Sequence, residues 1–554
     1  MVKLIRKTIN LLNRREDNIL SAASVIMTAV AFSRVLGLLR DRLLAARFPP
    51  EDLGVYYAAF RLPNMIFELL VMGALASAFI PVFTSYLDTK GKDKAFQMAS
   101  SIINIGTVIF FLFAIPMLIF TKEISLFLAP GFNSEQISLM ASFTRVMIAA
   151  QVFPLIIGNF LTGILQSFRN FLVPSLAPVI YNLGIILGII IFSPLVGLYA
   201  PVIGVVIGAV LFSLIQIPPV LSYGYRHSAS FSLNNPGVRS VGKLMLPRTL
   251  GLAVSQIDTT IDLVLSTLLG AGSVTVFNFA QHLQQLPIGL FGASIAQATL
   301  PSLSSSYANK DHQMYKKIFL SSFHQILFLV APLSAMLIVL RIPIVRLVFG
   351  ASTLFDWEST VLTGKTLAFF SLSLFAQASV HLLARSFYAL HDSKTPLYIG
   401  GISVITNTLL SIIFIMVLHL PVWSLGLSAS VGSIVNMLFL TVLLYFKVKT
   451  LTVIELVLPA IKIFLAASVS AVAVYIPIKL LDALVFDTTR TFNLFILTGI
   501  SMGLGVFVYL FFAWFLDIPQ IAVVRKLLIT LSRQKANVAI DTSQEVVNDP
   551  ESTP

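Results

Sequence analysis

The sequence predicts an all-α polytopic membrane protein of about fourteen transmembrane helices, with two six-helix lobes in parallel repeat plus two C-terminal helices. Three observations carry this expectation. Hydrophobic residues make up 57% of the 554 positions and charged residues only 11%, where a soluble chain carries about 25% charged. Apolar windows of about 20 residues recur along nearly the whole chain. Patterns of Pro, Ser and Tyr return after about 220 residues, as in duplicated transporter scaffolds.

The apolar windows fall near 19–46, 55–86, 97–120, 137–167, 173–193, 198–221, 245–270, 273–306, 318–340, 359–390, 396–418, 423–446, 456–478 and 493–516. Several exceed the bilayer thickness and hold Pro or Gly, so tilt, bending or extension into the cytoplasm is expected. An even number of spans places both termini on one side, and Lys and Arg decide which. The N-terminal tail, Lys90/Lys92/Lys94, Arg226/Arg239/Lys243/Arg248, Lys310/Lys316/Lys317, Lys447/Lys449 and Arg525/Lys526/Arg533/Lys535 fall together. About two dozen of the 37 Lys and Arg lie on that side, against roughly six opposite, so both termini are expected to be cytoplasmic. The basic start leads into a span too long for a signal-peptide core, and no cleavable signal is expected. The segment RIPIVRLVFGASTLFDWEST is amphipathic and is expected in the outer interface.

The resulting organisation is a basic segment (1–18), an N-lobe of helices one to six (19–225), a C-lobe comprising a cytoplasmic linker and helices seven to twelve (226–450), two further helices (451–520) and a cytoplasmic tail (521–554). The acidic, polar end of that tail reads as disordered. The repeat supports the two lobes. Pro81-x-x-x-Ser85-Tyr86 returns as Pro301-x-x-x-Ser305-x-Tyr307, Leu62-Pro63 parallels Leu286-Pro287, and Pro174 parallels Pro396.

Composition also excludes functions. There are no cysteines, hence no disulfides, thiolate metal sites or cysteine nucleophiles. The net charge of +13 sits in short loops between apolar runs, as membrane topology requires, so nucleic acid is not an expected partner.

The stretch from Met27 to Asn64 is exceptional, because it places Arg34, Arg40, Asp41, Arg42, Arg47 and Arg61 in otherwise apolar sequence. At 1.5 Å per residue from Ile19, Arg34 lies roughly 22 Å along the helix, too deep for easy snorkelling. Arg34 and Asp41 are two turns apart and share a face. Charges at this depth cost at least about 2.5–3.5 kcal/mol each unless they face protein or a water-filled cavity. The expected arrangement is a cationic cavity lined by this helix.

Asp258 and Asp262 in the seventh span are i and i+4 on one face. They suit either a proton or sodium site completed by hydroxyl or amide oxygens, or charge pairing with an arginine of the first helix. In the eighth span Asn278, His282 and Gln285 form a polar stripe flanked by Gln281 and Gln284, and Gln377, His381 and Arg385 form another in the tenth. Each stripe either faces a cavity or bonds a neighbouring helix. Neither histidine has metal-site spacing. Phosphate loops, nucleophile elbows and zincin motifs are missing, and no insertion is large enough for a catalytic domain, so a transporter rather than an enzyme is expected.

FSRVLGLLRD, the following FRLPN, GILQSFRNFLVPSLAPVIYN, LPIGLFGASIAQATLPSLS, IVRLVFGASTLFD and LLARSFYALHDSKTP resemble the MurJ/MviN family, whose members are lipid II flippases of the multidrug/oligosaccharidyl-lipid/polysaccharide exporter superfamily. The resemblance implies a central cationic cavity for the lipid headgroup and an apolar groove at the last two helices for the polyprenyl tail. It places the family's first-helix arginines on Arg34 and Arg40, with the adjacent acid on Asp41. The sequence departs from the family elsewhere: Phe67, beside Glu68, stands where the second helix carries an arginine, and Gly54 stands for an acid. His282 replaces the eighth-helix arginine, with Gln281 and Gln285 in place of neighbouring acids. A sodium site seen in some members falls near Asp262 and Asn407, with Ser411 where an acid would help.

The resemblance therefore implies a flippase for lipid II, or a similar polyprenyl-diphosphate lipid, in the bacterial cytoplasmic membrane. It implies no resident cofactor. Sodium, protons or membrane potential are the candidate energy sources, and membrane lipids and cell-wall synthesis proteins the candidate partners. The expected substrate contacts are Arg34, Arg40, Asp41, Arg61, His282 and Gln285, and the expected cation ligands are Asp258, Asp262 and Asn407. The alternatives are a flippase for another lipid-linked oligosaccharide, a cation-coupled drug exporter with an acidic cavity, or a non-transporting cell-wall scaffold.

Overall fold

A computed structural model describes residues 19–72, 78–350, 352–484 and 491–522. The basic segment 1–18 and the acidic end of the tail lie outside the described residues. Regular structure among the described residues is helical, without strands. Among the described residues ten helices are long and apolar enough to cross a membrane, and the pair Trp357–Ser371 and Leu374–Ala389, bent by 43°, makes an eleventh if counted as one span. Fourteen spans are thus not reached on length and composition. The expected spans that fall outside this set are those near 19–46, 55–86 and 245–270. These are helical as well: Ile19–Arg47, then Pro50–Ala59, Arg61–Phe67 and Ile80–Lys90, then Pro236–Leu268. They hold the polar and charged residues singled out from the sequence, and the second is broken into short pieces.

The chain forms two compact units. One contains the residues up to Leu286 with Arg341–Phe370 and Leu397–Gly432; the other contains Pro287–Leu340, Ser371–Pro396 and the residues from Ser433 onward.

In the first unit, helix Leu172–Val196 packs along helix Tyr199–Leu214 through two small-residue pairs. A Cβ on Gly184 would lie 2.4 Å from the Gly208 Cα, and one on Gly188 would lie 2.2 Å from the Gly204 Cα. Glycine spaced by four on both helices allows this backbone approach, the packing that substitutes for a hydrophobic driving force in lipid. Ile19–Arg47 lies on helix Leu172–Val196 through Leu36 and Leu43 against Val179 and Ile186. Gly54 is required for a different close approach: any Cβ there would meet the Ala271 carbonyl oxygen at 1.8 Å. An acid at this position, as in the family pattern, has no room.

The segment expected in the outer interface packs part of its apolar side against the first unit. It forms helix Arg341–Phe349, with Val345 and Phe349 fully buried. The Phe349 ring stacks on Phe279 at 4.0 Å, and the Arg42 guanidinium donates to the Leu347 carbonyl.

In the second unit, helices Val453–Leu484 and Thr491–Phe515 pack against each other where Gly505 meets Val474, and the Ser470 hydroxyl donates to the Gly505 carbonyl at 2.7 Å. Tyr509 donates to the Phe328 carbonyl at 2.7 Å, tying this pair to helix His312–Val339.

The two halves of the sequence repeat local backbone features. Single-turn π-helical stretches start at Glu68 and at Ile288. Helices Phe153–Ser167 and Leu374–Ala389 end in the same motif, with a left-handed non-glycine residue, Arg169 or His391, each at φ 59°. In both, the amide three residues beyond the helix closes back on a carbonyl of its last turn: Asn170 to Leu165 and Asp392 to Phe387, each at 3.0 Å. Asn170 is then reached by Tyr223, and Asp392 by Lys447, each at the end of a later helix.

Candidate cationic cavity

Arg40 and Asp41 are adjacent on one helix, so their side chains meet only because the guanidinium folds back. Nε and Nη2 donate to the same Asp41 oxygen at 2.9 and 2.8 Å. Nη1 donates to Asn182 Oδ1 at 3.3 Å, and Asn182 in turn donates to the Ser33 hydroxyl at 3.2 Å. The second Asp41 oxygen is bonded to His282 Nδ1 at 2.8 Å. Asp41 is 2% exposed, so two basic groups surround a carboxylate shut off from water. Tyr57 approaches the same carboxylate at 3.5 Å and lies edge-on to the His282 ring.

These groups border a cavity of about 320 Å³. Arg40, Arg61 and His282 line it, with Tyr57, Tyr181 and Asn278. The lining contains no Asp or Glu, because Asp41 sits behind Arg40 and His282. Arg61 opens the broken second span and is buried, held by Thr260 Oγ1 at 2.9 Å and the Gln256 side-chain oxygen at 2.9 Å. Both partners come from Pro236–Leu268 and are neutral oxygens, and no ion pair joins Asp258 or Asp262 to a first-helix arginine among the described residues.

Asp258 and Asp262 do come together with Asn407. The Asn407 amide nitrogen donates to Asp258 Oδ1 at 2.9 Å and to Asp262 Oδ1 at 3.4 Å. The Ser411 hydroxyl donates to Asn407 Oδ1 at 3.5 Å and is bonded to Ser428 at 2.6 Å. Among the described residues no group of three or more His, Asp or Glu could hold a metal ion. Two carboxylates and an amide fit a weakly held monovalent cation: turning the amide over would offer it the Asn407 oxygen.

Other expected residues lie apart. Arg34 is exposed and does not line the cavity, because six residues from Arg40 turn it about 120° away on an uninterrupted helix. Gln285 is also exposed and outside the lining, while Asn278, Gln281 and His282 of the same stripe are in it. Phe67 packs with Tyr181 against an apolar cluster of Leu155, Ala177, Ala209 and Phe212, so a charge there would be buried without a partner. In the second stripe, Gln377 donates to Ser373, the N-cap of its own helix, at 2.8 Å, and Arg385 donates to the Ala293 carbonyl of a neighbouring segment at 3.3 Å. Sequence reasoning missed Asn182, Tyr57 and Tyr181. Only Asn182, a lone amide in an apolar span, stood out as a signal.

The family model described as lipid II flippase MurJ matches residues 52–523. A probable lipid II flippase MurJ of Buchnera aphidicola subsp. Acyrthosiphon pisum is 28% identical over 442 residues, 77% of this chain and 84% of the relative. The lipid II flippase MurJ of Burkholderia cenocepacia is 27% identical over 433 residues, 76% and 83% of the two chains. A probable lipid II flippase MurJ of Bdellovibrio bacteriovorus is 26% identical over 522 residues, 92% and 98% of the two. Among solved structures, a lipid II flippase MurJ in an inward closed conformation superposes with a TM-score of 0.73 at 25% identity, covering 88% of this chain and 97% of that one. An inward-facing multidrug transporter of the MATE family shares the fold, with a TM-score of 0.65 at 17% identity over 77% of this chain and 98% of that one. With the family match spanning most of its length, this multi-pass chain belongs to the lipid II flippase MurJ family of bacterial membrane transporters.

Proposed function

We propose that this protein carries lipid II from the inner to the outer leaflet of the bacterial cytoplasmic membrane by alternating access. The observation that carries this reading is the cavity bordered by Arg40, Arg61 and His282, with Asp41 held behind Arg40 and His282. Lipid II presents a diphosphate and peptide carboxylates, and guanidinium forks bind phosphate oxygens bidentately. Asp41 pre-aligns Arg40 and His282, and a diphosphate competes with it for the same N–H groups. The apolar groove of about 270 Å³ bordered by Phe323, Phe375, Leu456 and Phe464 supports a path for the polyprenyl tail beside the thirteenth span. A drug exporter would favour an acidic cavity, and the basic lining argues against it. The sugar-bearing lipids of other pathways share the diphosphate and are separated only by transport assays.

Asp258 and Asp262 share a single neutral amide donor, so neither carboxylate gains charge compensation from it. Uptake of a sodium ion or a proton there would supply it, and Asp258, Asp262 and Asn407 are the residues to hold that ion. Membrane potential adds about 2.3 kcal/mol per 100 mV for each net charge moved. In this reading the two six-helix lobes, 19–225 and 226–450, rock about the cavity, and both termini are cytoplasmic.

The test is lipid II exposure at the outer leaflet of cells depleted of their own flippase and expressing this chain. Appearance of lipid II outside supports the proposal; growth rescue without it points to a scaffold. Orientation is checked in the cysteine-free chain by single cysteines at the exposed positions 92, 309 and 353. Impermeant thiol reagents should label only 353.

A further inference from the structure

The first unit holds a second cavity that shares no lining residue with the cationic one. It measures about 430 Å³ and lies between helices Lys92–Ile119, Phe153–Ser167 and Ile217–Ser222. Its walls are apolar, formed by Ile103, Phe153, Ile157, Leu161 and Val220, while one rim carries Asn104, Tyr225 and His227. That rim is a built structure. The Tyr225 hydroxyl bonds His227 Nδ1 at 2.9 Å and Ser100 Oγ at 3.2 Å, and Asn104 donates to the Ser228 and Ser230 carbonyls at 2.9 Å each. The Ser228 hydroxyl oxygen is buried and has no partner among the described residues. Arg226 is exposed between the two rim residues.

Depth follows from helix length. Lys92–Ile119 has 28 residues, roughly 42 Å of helix against a hydrocarbon core of about 30 Å, so its first turns stand in the cytoplasm. Ser100, Ser101 and Asn104, stitched to the loop after Tyr225, then mark the cytoplasmic boundary of the bilayer. The same loop turns Phe231 and Leu233 outward, 57% and 65% exposed, as interfacial anchors do. Below the rim, Val108 and Leu221 are exposed apolar residues, so the cavity walls continue into the outer surface of membrane-spanning helices.

We propose that this cavity takes one acyl chain of an anionic glycerophospholipid from the cytoplasmic leaflet. The phosphate of the headgroup sits at Arg226 and His227, whose second ring nitrogen has no partner among the described residues. Charge complementarity at the rim and apolar walls below it match the two ends of such a lipid. The bound lipid would brace the 226–235 linker, which leads into helix Pro236–Leu268 through Asn235 and its bond to Tyr86 at 2.9 Å. It would thus act on the helix that holds Arg61, without entering the cationic cavity.

The experiment reconstitutes the full chain in phosphatidylethanolamine–phosphatidylglycerol vesicles containing phosphatidylglycerol with a photoreactive acyl terminus. Irradiation followed by peptide mapping locates the adducts. Adducts are expected on the wall residues, reduced at least fivefold by Ile157→Trp and at least threefold by the pair Arg226→Ala and His227→Ala. Leu187→Trp, on an exposed apolar face elsewhere, should leave them unchanged. Should Ile157→Trp fail to fold, Thr107→Phe fills the same space from the opposite wall. Adducts spread evenly over outer helix faces, or insensitive to filling of the cavity, overturn the proposal. So does displacement of the label by low mole fractions of undecaprenyl diphosphate, which would assign the cavity to the transported lipid's tail. Equal labelling by a photoreactive diacylglycerol, which lacks the phosphate, would overturn the headgroup assignment.

Discussion

Asp41 and the pair Asp258–Asp262 are acids in the same compact unit, Asp41 and Asp262 buried and Asp258 half-buried, and they are treated in opposite ways. Asp41 receives two guanidinium N–H bonds on one oxygen and a histidine on the other. Asp258 and Asp262 share one neutral amide. Removing a partner from a buried ion pair costs about 3–5 kcal/mol, so the first cluster is a rigid arrangement that holds the cavity's cations in place. The second has no bound cation side chain and two like charges on one helical face, an arrangement whose charge state is free to change. In the proposed cycle the comparison separates two tasks: positive charge for holding a phosphate, and a negative site for coupling.

The largest effect is expected from the fixed cluster. Arg40→Ala should reduce lipid II exposure at the outer leaflet at least tenfold, and Arg40→Lys should recover only part, since it lacks the fork that bonds Asp41 and Asn182 together. Arg34→Ala, on the exposed side of the same helix, should fall well short of that loss; equal loss from both would show that Arg34 contacts substrate in another state of the cycle. Next comes the variable cluster. Asp262→Asn should lower transport several-fold and remove any dependence on sodium or pH gradients while protein levels persist, whereas unchanged ion dependence would erase the contrast between the two clusters.

A smaller effect tests how fixed the first cluster is. His282→Arg keeps a donor beside Asp41 and places a guanidinium fork at this face of the cavity, so transport should be retained or rise. The smallest effect comes from a surface acid outside the membrane spans. Partial burial pushes the Asp392 carboxyl up, but the Lys447 ammonium at 2.6 Å with the Thr395 hydroxyl and amide outweighs it and holds the carboxyl well below the usual carboxylate range. A depressed carboxylate contributes stability above its unfolded pKa of about 3.9 and loses it as pH falls through the folded value. The pair is partly exposed, so Asp392→Asn should cost only about 0.2–1 kcal/mol near neutral pH, vanishing in strong acid. Thermal unfolding of the detergent-solubilised chain measures it.

The repeated helix ends show how sequence similarity became geometry. Pro174 and Pro396 were legible as a pair, and the structure places the left-handed residues Arg169 and His391 before them with the same closing hydrogen bonds. What diverged is the clasp: an amide with Tyr223 in one copy, a carboxylate with Lys447 in the other. Such partners lie some fifty residues downstream, and no local pattern links them.

Membrane class, most of the spans, the repeat and the basic character of the Met27–Asn64 stretch were determined by the sequence alone. Each follows from a local property: apolar run length against bilayer thickness, and the cost of charge within it. Tertiary structure decided which charges act together. Helical phase turned Arg34 out while Arg40 faces the cavity, and Gln285 out while His282 meets Asp41. Close backbone contact at Gly54 left no space for an acid, and the apolar cluster around Phe67 none for an arginine. Those outcomes depend on what packs against each position from distant parts of the chain, and a periodicity of 3.6 residues fixes a direction but not the neighbour found there.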